Sequence, residues 1–295
     1  MIKKIYLFTL LLVCFLCAQP VQAANRFNSF IFKPAPVAGH FYAVSDASLL
    51  AEKEWVLGRS LEFGDKPIVA QVAGADVAIL KRYIVEYYQG AFGLTDWLSF
   101  GLTVPVVWYG RITNPDTRVT TNEMGWGDVE LMAKIALTNQ NTKKWALVFV
   151  PFMTLPSGNA GYFFGDTTVT GGGNFVVGGL WGNKAHWALN VGTLFRERMN
   201  AYGLDFDEQL LLAGAVNYAL TQRIAVYSEL ETRTPYTDFF GSANTSPTEF
   251  RTGLQLFLGK EKRFMINTGG SFGITHGGEN PRYKVFSAMS YRIGS

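Results

Sequence analysis

The stretch Leu98-Ser99-Phe100-Gly101-Leu102-Thr103-Val104-Pro105-Val106-Val107-Trp108 alternates almost from end to end. Leu98, Phe100, Leu102, Val104, Val106 and Trp108 share one parity, and Ser99, Gly101, Thr103 and Pro105 share the other. A period of two is that of a strand. In 128–137, Val129, Leu131, Ala133, Ile135 and Leu137 oppose Asp128, Glu130 and Lys134. In 249–258, Phe250, Leu254, Leu256 and Leu258 oppose Glu249, Arg251 and Gln255. Strands apolar on one face and charged on the other suit a wall with lipid outside and a polar lumen inside.

Working outward, similar segments recur along the chain, separated by turn residues. The pattern predicts twelve strands, near 54–63, 79–92, 97–110, 125–138, 145–156, 167–181, 184–198, 207–220, 223–234, 248–259, 263–275 and 282–293. Strand 145–156 is apolar on both parities, so its faces stay unassigned. Short connections (93–96, 139–144, 182–183, 221–222, 260–262) alternate with longer ones (64–78, 111–124, 157–166, 199–206, 235–247, 276–281). Outer-membrane barrels keep short turns on the periplasmic side and longer loops outside. An even strand count then returns both ends of the wall to the periplasm. The expected fold is all-β: a transmembrane antiparallel up-and-down β-barrel of about twelve strands, preceded by a short irregular N-terminal segment.

Composition agrees. The chain of 295 residues is 48% hydrophobic, with 15% aromatics and 31 glycines. Mean hydropathy is +0.10. After residue 23 no run reaches the roughly 18 apolar residues of a membrane helix. Residues 1–23 have the form of a signal peptide: basic Lys3 and Lys4, apolar Ile5–Ala18, and the small-x-small site Val21-Gln22-Ala23. Residues 24–53, with Pro34, Pro36 and Gly39, show no sustained alternation and are expected to be a lumen plug or a periplasmic segment. The barrel is expected over 54–295. Both cysteines, Cys14 and Cys17, fall in the signal, so the mature part has no thiol chemistry. Without Lys3 and Lys4, 26 − 2 = 24 basic residues face 23 acidic ones, which gives no electrostatic case for nucleic acid.

Parity places a mixed set of charges in the lumen: Arg82, Glu86, Asp128, Glu130, Lys134, Arg196, Arg198, Glu229, Glu231, Arg233, Glu249, Arg251 and Lys284. Neither sign dominates. Such a set either selects solutes at a constriction or stiffens the interior by ion pairing. The seven tryptophans lie near strand ends. Trp108, Trp145, Trp181 and Trp187, with Tyr291, are expected at the membrane boundary, where an indole keeps its ring in hydrocarbon and its N–H wet. Trp97 and Trp126 have lumen parity. His40, His186 and His276 are expected to lie far apart, without metal-ligand spacing and with no hydrolase motif beside them. No enzyme activity, metal or cofactor is expected.

The landmarks Phe32-Lys33-Pro34-Ala35-Pro36, Ala47–Leu50, Trp55 and Pro67-Ile68-Val69 resemble the leading segment and first hairpin of OmpA-family barrel domains. Gly90–Leu98, Gly101-Leu102 and Val104–Val107 are similar to that family's most recognisable turn and strand. Gly125–Val129, Leu155–Gly158 and Lys284–Tyr291 match later ones. These motifs mark turns and strand starts. The resemblance implies an outer-membrane barrel without the peptidoglycan-binding domain that often follows. The expected function is a narrow, porin-like diffusion channel or a structural barrel of the Gram-negative envelope. The alternative is a self-associating or lipid-binding barrel acting through its outer wall. Expected partners are outer-membrane lipid, a second copy of the chain, and the barrel-insertion machinery, which would read strand 282–293 with Tyr283, Val285, Met289, Tyr291 and Ile293 on its lipid face.

Overall fold

A computed structural model describes residues 28–294 except 31, 37–38, 73–74, 116, 139–143, 202–203, 243–244, 260 and 276–279. The expected signal segment and His276 lie outside the described residues. The strands are β1 (Trp55–Val72), β2 (Ala75–Thr95), β3 (Leu98–Thr113), β4 (Thr120–Trp126), β5 (Val129–Ala136), β6 (Trp145–Leu155), β7 (Thr170–Trp181), β8 (Ala185–Phe195), β9 (Met199–Ala201), β10 (Leu204–Phe206), β11 (Gln209–Ala219), β12 (Ile224–Pro235), β13 (Thr248–Leu258), β14 (Phe264–Gly273) and β15 (Tyr283–Ile293). Twelve of them form one closed antiparallel barrel. β1 pairs with β2 on one side and with β15 on the other, from Trp55↔Ile293 to Asp65↔Tyr283. β9 and β10 form a separate small hairpin, and β4 is an extra strand beside β3.

Two expected elements differ. The strand predicted at 125–138 is two strands. β5 pairs with Leu98–Thr103 of β3, and β4 takes the upper part from Val106 to Thr113. The break is at Gly127-Asp128. A side chain at 127 would meet Pro105 Cβ at 2.7 Å, so the close approach needs glycine. The predicted loop 64–78 is instead the continuation of the β1–β2 hairpin. Pro67 is accommodated because the ladder is irregular between Asp65 and Ile68, and Lys66 takes a left-handed φ of 46°.

The two faces follow the alternation. On β3 and β5, Phe100, Leu102, Leu131 and Ile135 face outward, while Ser99, Thr103 and Lys134 face inward. Tyr291, Met289, Val285 and Tyr283 are outward on β15, and Lys284 is inward. Trp145, Trp181 and Trp187 gather with Trp55 and Tyr291 at the end with short connections, where the Trp55 ring packs tilted against Phe92. Trp108 faces outward in the opposite half of β3, and Trp126 of β4 faces outward as well, against its expected lumen parity. Leu131→Lys would set a charge against hydrocarbon. It should cost about 2–4 kcal/mol near the midplane, read by reversible folding into lipid vesicles. A loss near zero would reverse the faces.

The barrel's core is the chain's own N-terminal segment. Asn28 sits at the long-loop end, where its Nδ2 donates to Asp128 and its N–H to Asp166. The segment descends to His40 beside the short-turn residue His186, turns back, and bonds Ala35 N–H to Tyr42 C=O. It leaves at the short-turn end against Gly93. There the backbone of Ala51 lies so close that no side chain fits at 93. Apolar clusters fix its course: Phe30 with Tyr83 and Phe164, Tyr42 stacked on Phe286, and Ala47 against Val148, Val150 and Val176.

Candidate functional site: the occupied lumen

Alternation on β12, β13 and β15 turns Glu229, Glu231, Arg233, Glu249, Arg251 and Lys284 into one interior cluster. Arg251 is 0% exposed and serves three carboxylates: Glu229 at 3.1 Å, Glu231 at 2.8 Å and Glu249 at 2.8 Å. Lys284 bonds Glu249 at 2.9 Å and the carbonyl of Phe32 at 3.1 Å. Arg233 pairs with Glu231 at 3.4 Å. The ring of Phe32 lies 5.2 to 5.9 Å from all three cations. A ring face attracts cations, and desolvation strengthens that attraction.

The same cluster grips the inner segment. Glu229 accepts the backbone N–H groups of Tyr42, Ala43 and Val44. Tyr42 donates its hydroxyl to Glu62 at 2.8 Å. Lower down, Lys134 bonds the carboxylate of Asp46 at 2.9 Å and the carbonyls of Asp46 and Ser48. Higher up, Glu130 pairs with Lys33 at 3.3 Å. At the long-loop end Asp128 accepts N–H groups from Gly158 and Asp166, and Arg196 pairs with Asp166 at 2.9 Å. Burial pushes the Asp128 carboxyl up to about 6.

Three residues expected in the lumen lie elsewhere. Arg82 and Glu86 face outward on β2, because its inward positions Tyr83, Val85 and Tyr87 are apolar or aromatic and pack around Phe30. Arg82 is 57% exposed and pairs with Asp65 at 3.5 Å. Glu86 pairs with Arg59 at 3.3 Å and accepts from Tyr88 and Trp108. Arg198 lies beyond the end of β8, 64% exposed and 3.9 Å from Asp207, where strand parity no longer applies. His40 and His186 are not far apart. Their rings stack at 3.5 Å, with His40 Nδ1 at 3.1 Å from Asp46, because the inner segment threads the barrel. Among the described residues no group of His, Cys, Asp and Glu stands close enough to hold a metal ion.

Sequence reasoning did not pick out Glu62, Lys33, Asp46 or Asp166. Glu62 carried a usable signal, since it shares parity with Ser60 and opposes Leu57, Leu61 and Phe63. The other three lie on stretches without alternation.

The lumen is not completely filled. A cavity of about 90 Å³ lies between the inner segment and the wall of β5–β8, β11 and β12. It adjoins a second of about 50 Å³ toward the long loops, and both are bordered by Lys33, Glu130, Phe152 and Arg233. A third, of about 190 Å³, opens at the short-turn end around His40 and His186.

Residues 73–293 match the family described as "Putative MetA-pathway of phenol degradation". Among solved structures, an outer membrane channel from Pseudomonas putida F1 is 14% identical. The match covers 85% of this chain and 99% of that one, with a TM-score of 0.64. The NanC porin is 10% identical over 81% of this chain and 100% of its own, with a TM-score of 0.56. The KdgM porin, in complex with disordered oligogalacturonate, is 11% identical over 81% and 99%, with a TM-score of 0.51. At such identities the likeness is one of fold. No match is found among the curated proteins.

Proposed function

Because the chain belongs to the family described as "Putative MetA-pathway of phenol degradation", we propose that it is a porin-like barrel of the Gram-negative outer membrane. It passes small solutes through a narrow path beside its inner segment. The observation that carries this reading is the pair of adjoining cavities beside that segment, with a separate one at the short-turn end. The path is lined by Pro36, Met132 and Phe152 on one hand and by the pairs Lys33–Glu130 and Arg233–Glu231 on the other. A compact apolar body carrying one polar group fits such a lining, and a phenol has that form. The family's description and the channel folds that resemble this one support the same reading. The OmpA-family likeness of Gly90–Leu98 adds a shared turn and strand start. The role is transport rather than catalysis: the interior charges bond one another and the inner segment.

Planar-bilayer recording with the full chain tests the proposal. Discrete currents are expected, and Arg233→Gln should shift their reversal potential toward cation preference by removing one of the positive groups on the path. An inserted chain that carries no ionic current and admits no small solute in vesicle-swelling assays would overturn it.

A further inference from the structure

The outward faces of β5–β8 and β11–β15 carry no Asp, Glu, Lys or Arg among the described residues. β1 and β2 break that rule with Arg59 and Glu86, and nearer the long loops with Asp65 and Arg82. Arg59 lies four residues along β1 from Trp55. At the usual rise and tilt that places it about 10 Å above the girdle, inside an apolar band about 25 Å tall.

The two groups are not equally satisfied. Glu86 is 11% exposed and takes the Arg59 guanidinium at 3.3 Å, the Tyr88 hydroxyl at 2.9 Å and the Trp108 indole N–H at 3.0 Å. The Arg59 side chain is 55% exposed, and among the described residues this ion pair is its one polar contact. A guanidinium with donors aimed into hydrocarbon is costly, and such groups mark contacts or pathways. Lipid phosphates lie at the membrane surface, away from this depth. Leu57, Leu61, Tyr88 and Trp108 around the pair are exposed and supply area for packing.

We propose that the outer wall of β1 and β2 is the contact surface for a second copy of this chain, centred on Arg59 and Glu86. The patch is self-complementary. A twofold axis along the membrane normal, passing between β1 and β2, sets β1 of one copy opposite β2 of the other. Arg59 then reaches the partner's Glu86, and the reciprocal contact forms by symmetry. Two internal pairs become a four-charge ring closed off from lipid, with charge-assisted hydrogen bonds for donors that otherwise have none. The inference rests on the barrel lying in a bilayer, as proposed above.

Single-cysteine cross-linking provides the test, since the expected mature chain contains no cysteine. With a short bis-maleimide in native membranes, Leu61→Cys should give a dimer band. Val191→Cys on the far wall should not. Arg59→Glu and Glu86→Arg, each added to Leu61→Cys, should each lose the band, because like charges then meet. Co-expressed, the two should recover it as a mixed dimer, which an internal role for the pair would not produce. The uncharged double variant Arg59→Leu/Glu86→Leu puts no charge in the band, so it should insert and still cross-link far less. Equal cross-linking at positions 61 and 191, or an undiminished band in the double leucine variant, overturns the contact. Currents recorded from the same samples separate the two readings. A chain that conducts without cross-linking overturns the contact alone, and one that cross-links yet admits nothing overturns the channel alone.

Discussion

Arg251→Met destabilises the barrel by about 3–5 kcal/mol, the cost of removing one partner from a buried ionic cluster. Methionine fills much of the same space, so little of the loss comes from a cavity. It comes from Glu229, Glu231 and Glu249, which Arg251 holds at 2.8 to 3.1 Å and which are left with Arg233 and Lys284. Arg251→Lys should recover part of the loss. An ammonium keeps the charge but cannot present the planar fork that serves several carboxylates at once. The sign with pH is set: protonation removes the uncompensated negative charge, so the deficit should shrink as pH falls. Urea titration of folding into vesicles at two pH values measures it. A loss below 1 kcal/mol, the scale of a solvated pair, would mean that the centre is wet.

Deleting residues 28–50 while keeping the rest of the chain should raise conductance severalfold over the full-length barrel. The segment occupies the lumen from Asn28 at the long-loop end to Leu50 near Gly93, and the wall strands pair without its help. Removal also strips Lys134 of Asp46 and Glu229 of its backbone donors, so lower stability is expected. Asp46→Asn is the milder companion: it loosens the clamp at Lys134 with the segment in place and should increase the frequency of openings. Electrophoretic heat-modifiability confirms insertion of each variant. An inserted deletion variant no more conductive than the full chain would show that the segment does not control the path.

Much of the wall was legible because lipid imposes a simple rule on it. β3 from Leu98 to Trp108 and β5 keep one uninterrupted apolar parity, β13 and β15 keep one broken by Thr248, Thr252 and Ser287, and their faces follow from it. The rule weakens wherever the inside is also apolar. β2 turns Tyr83 and Tyr87 inward around Phe30, so its charges were placed on the wrong side. β6 was undecidable because Val148 and Val150 pack on Ala47. Of the interior site, the charges on β12, β13 and β15 could be read, but the partners they hold could not. Lys33 and Asp46 sit on a stretch with no period, and their positions depend on contacts 97 and 88 residues away along the chain. The stacking of His40 on His186 has the same origin.

That inner segment also sets an order of events. Lys284, on the last strand, bonds the carbonyl of Phe32 across 252 positions of sequence. The seam between β1 and β15 is continuous, with no gap through which a finished barrel could admit a chain from the side. Among the residues described, those made first therefore acquire their native surroundings only when the strand made last is in place. Contacts so distant in sequence slow folding, because the loop entropy must be met before the contact rewards it. The assembling chain must hold Phe32 to Leu50 inside an open, curved sheet while it waits for Tyr283–Ile293, and zipping the seam then traps the segment.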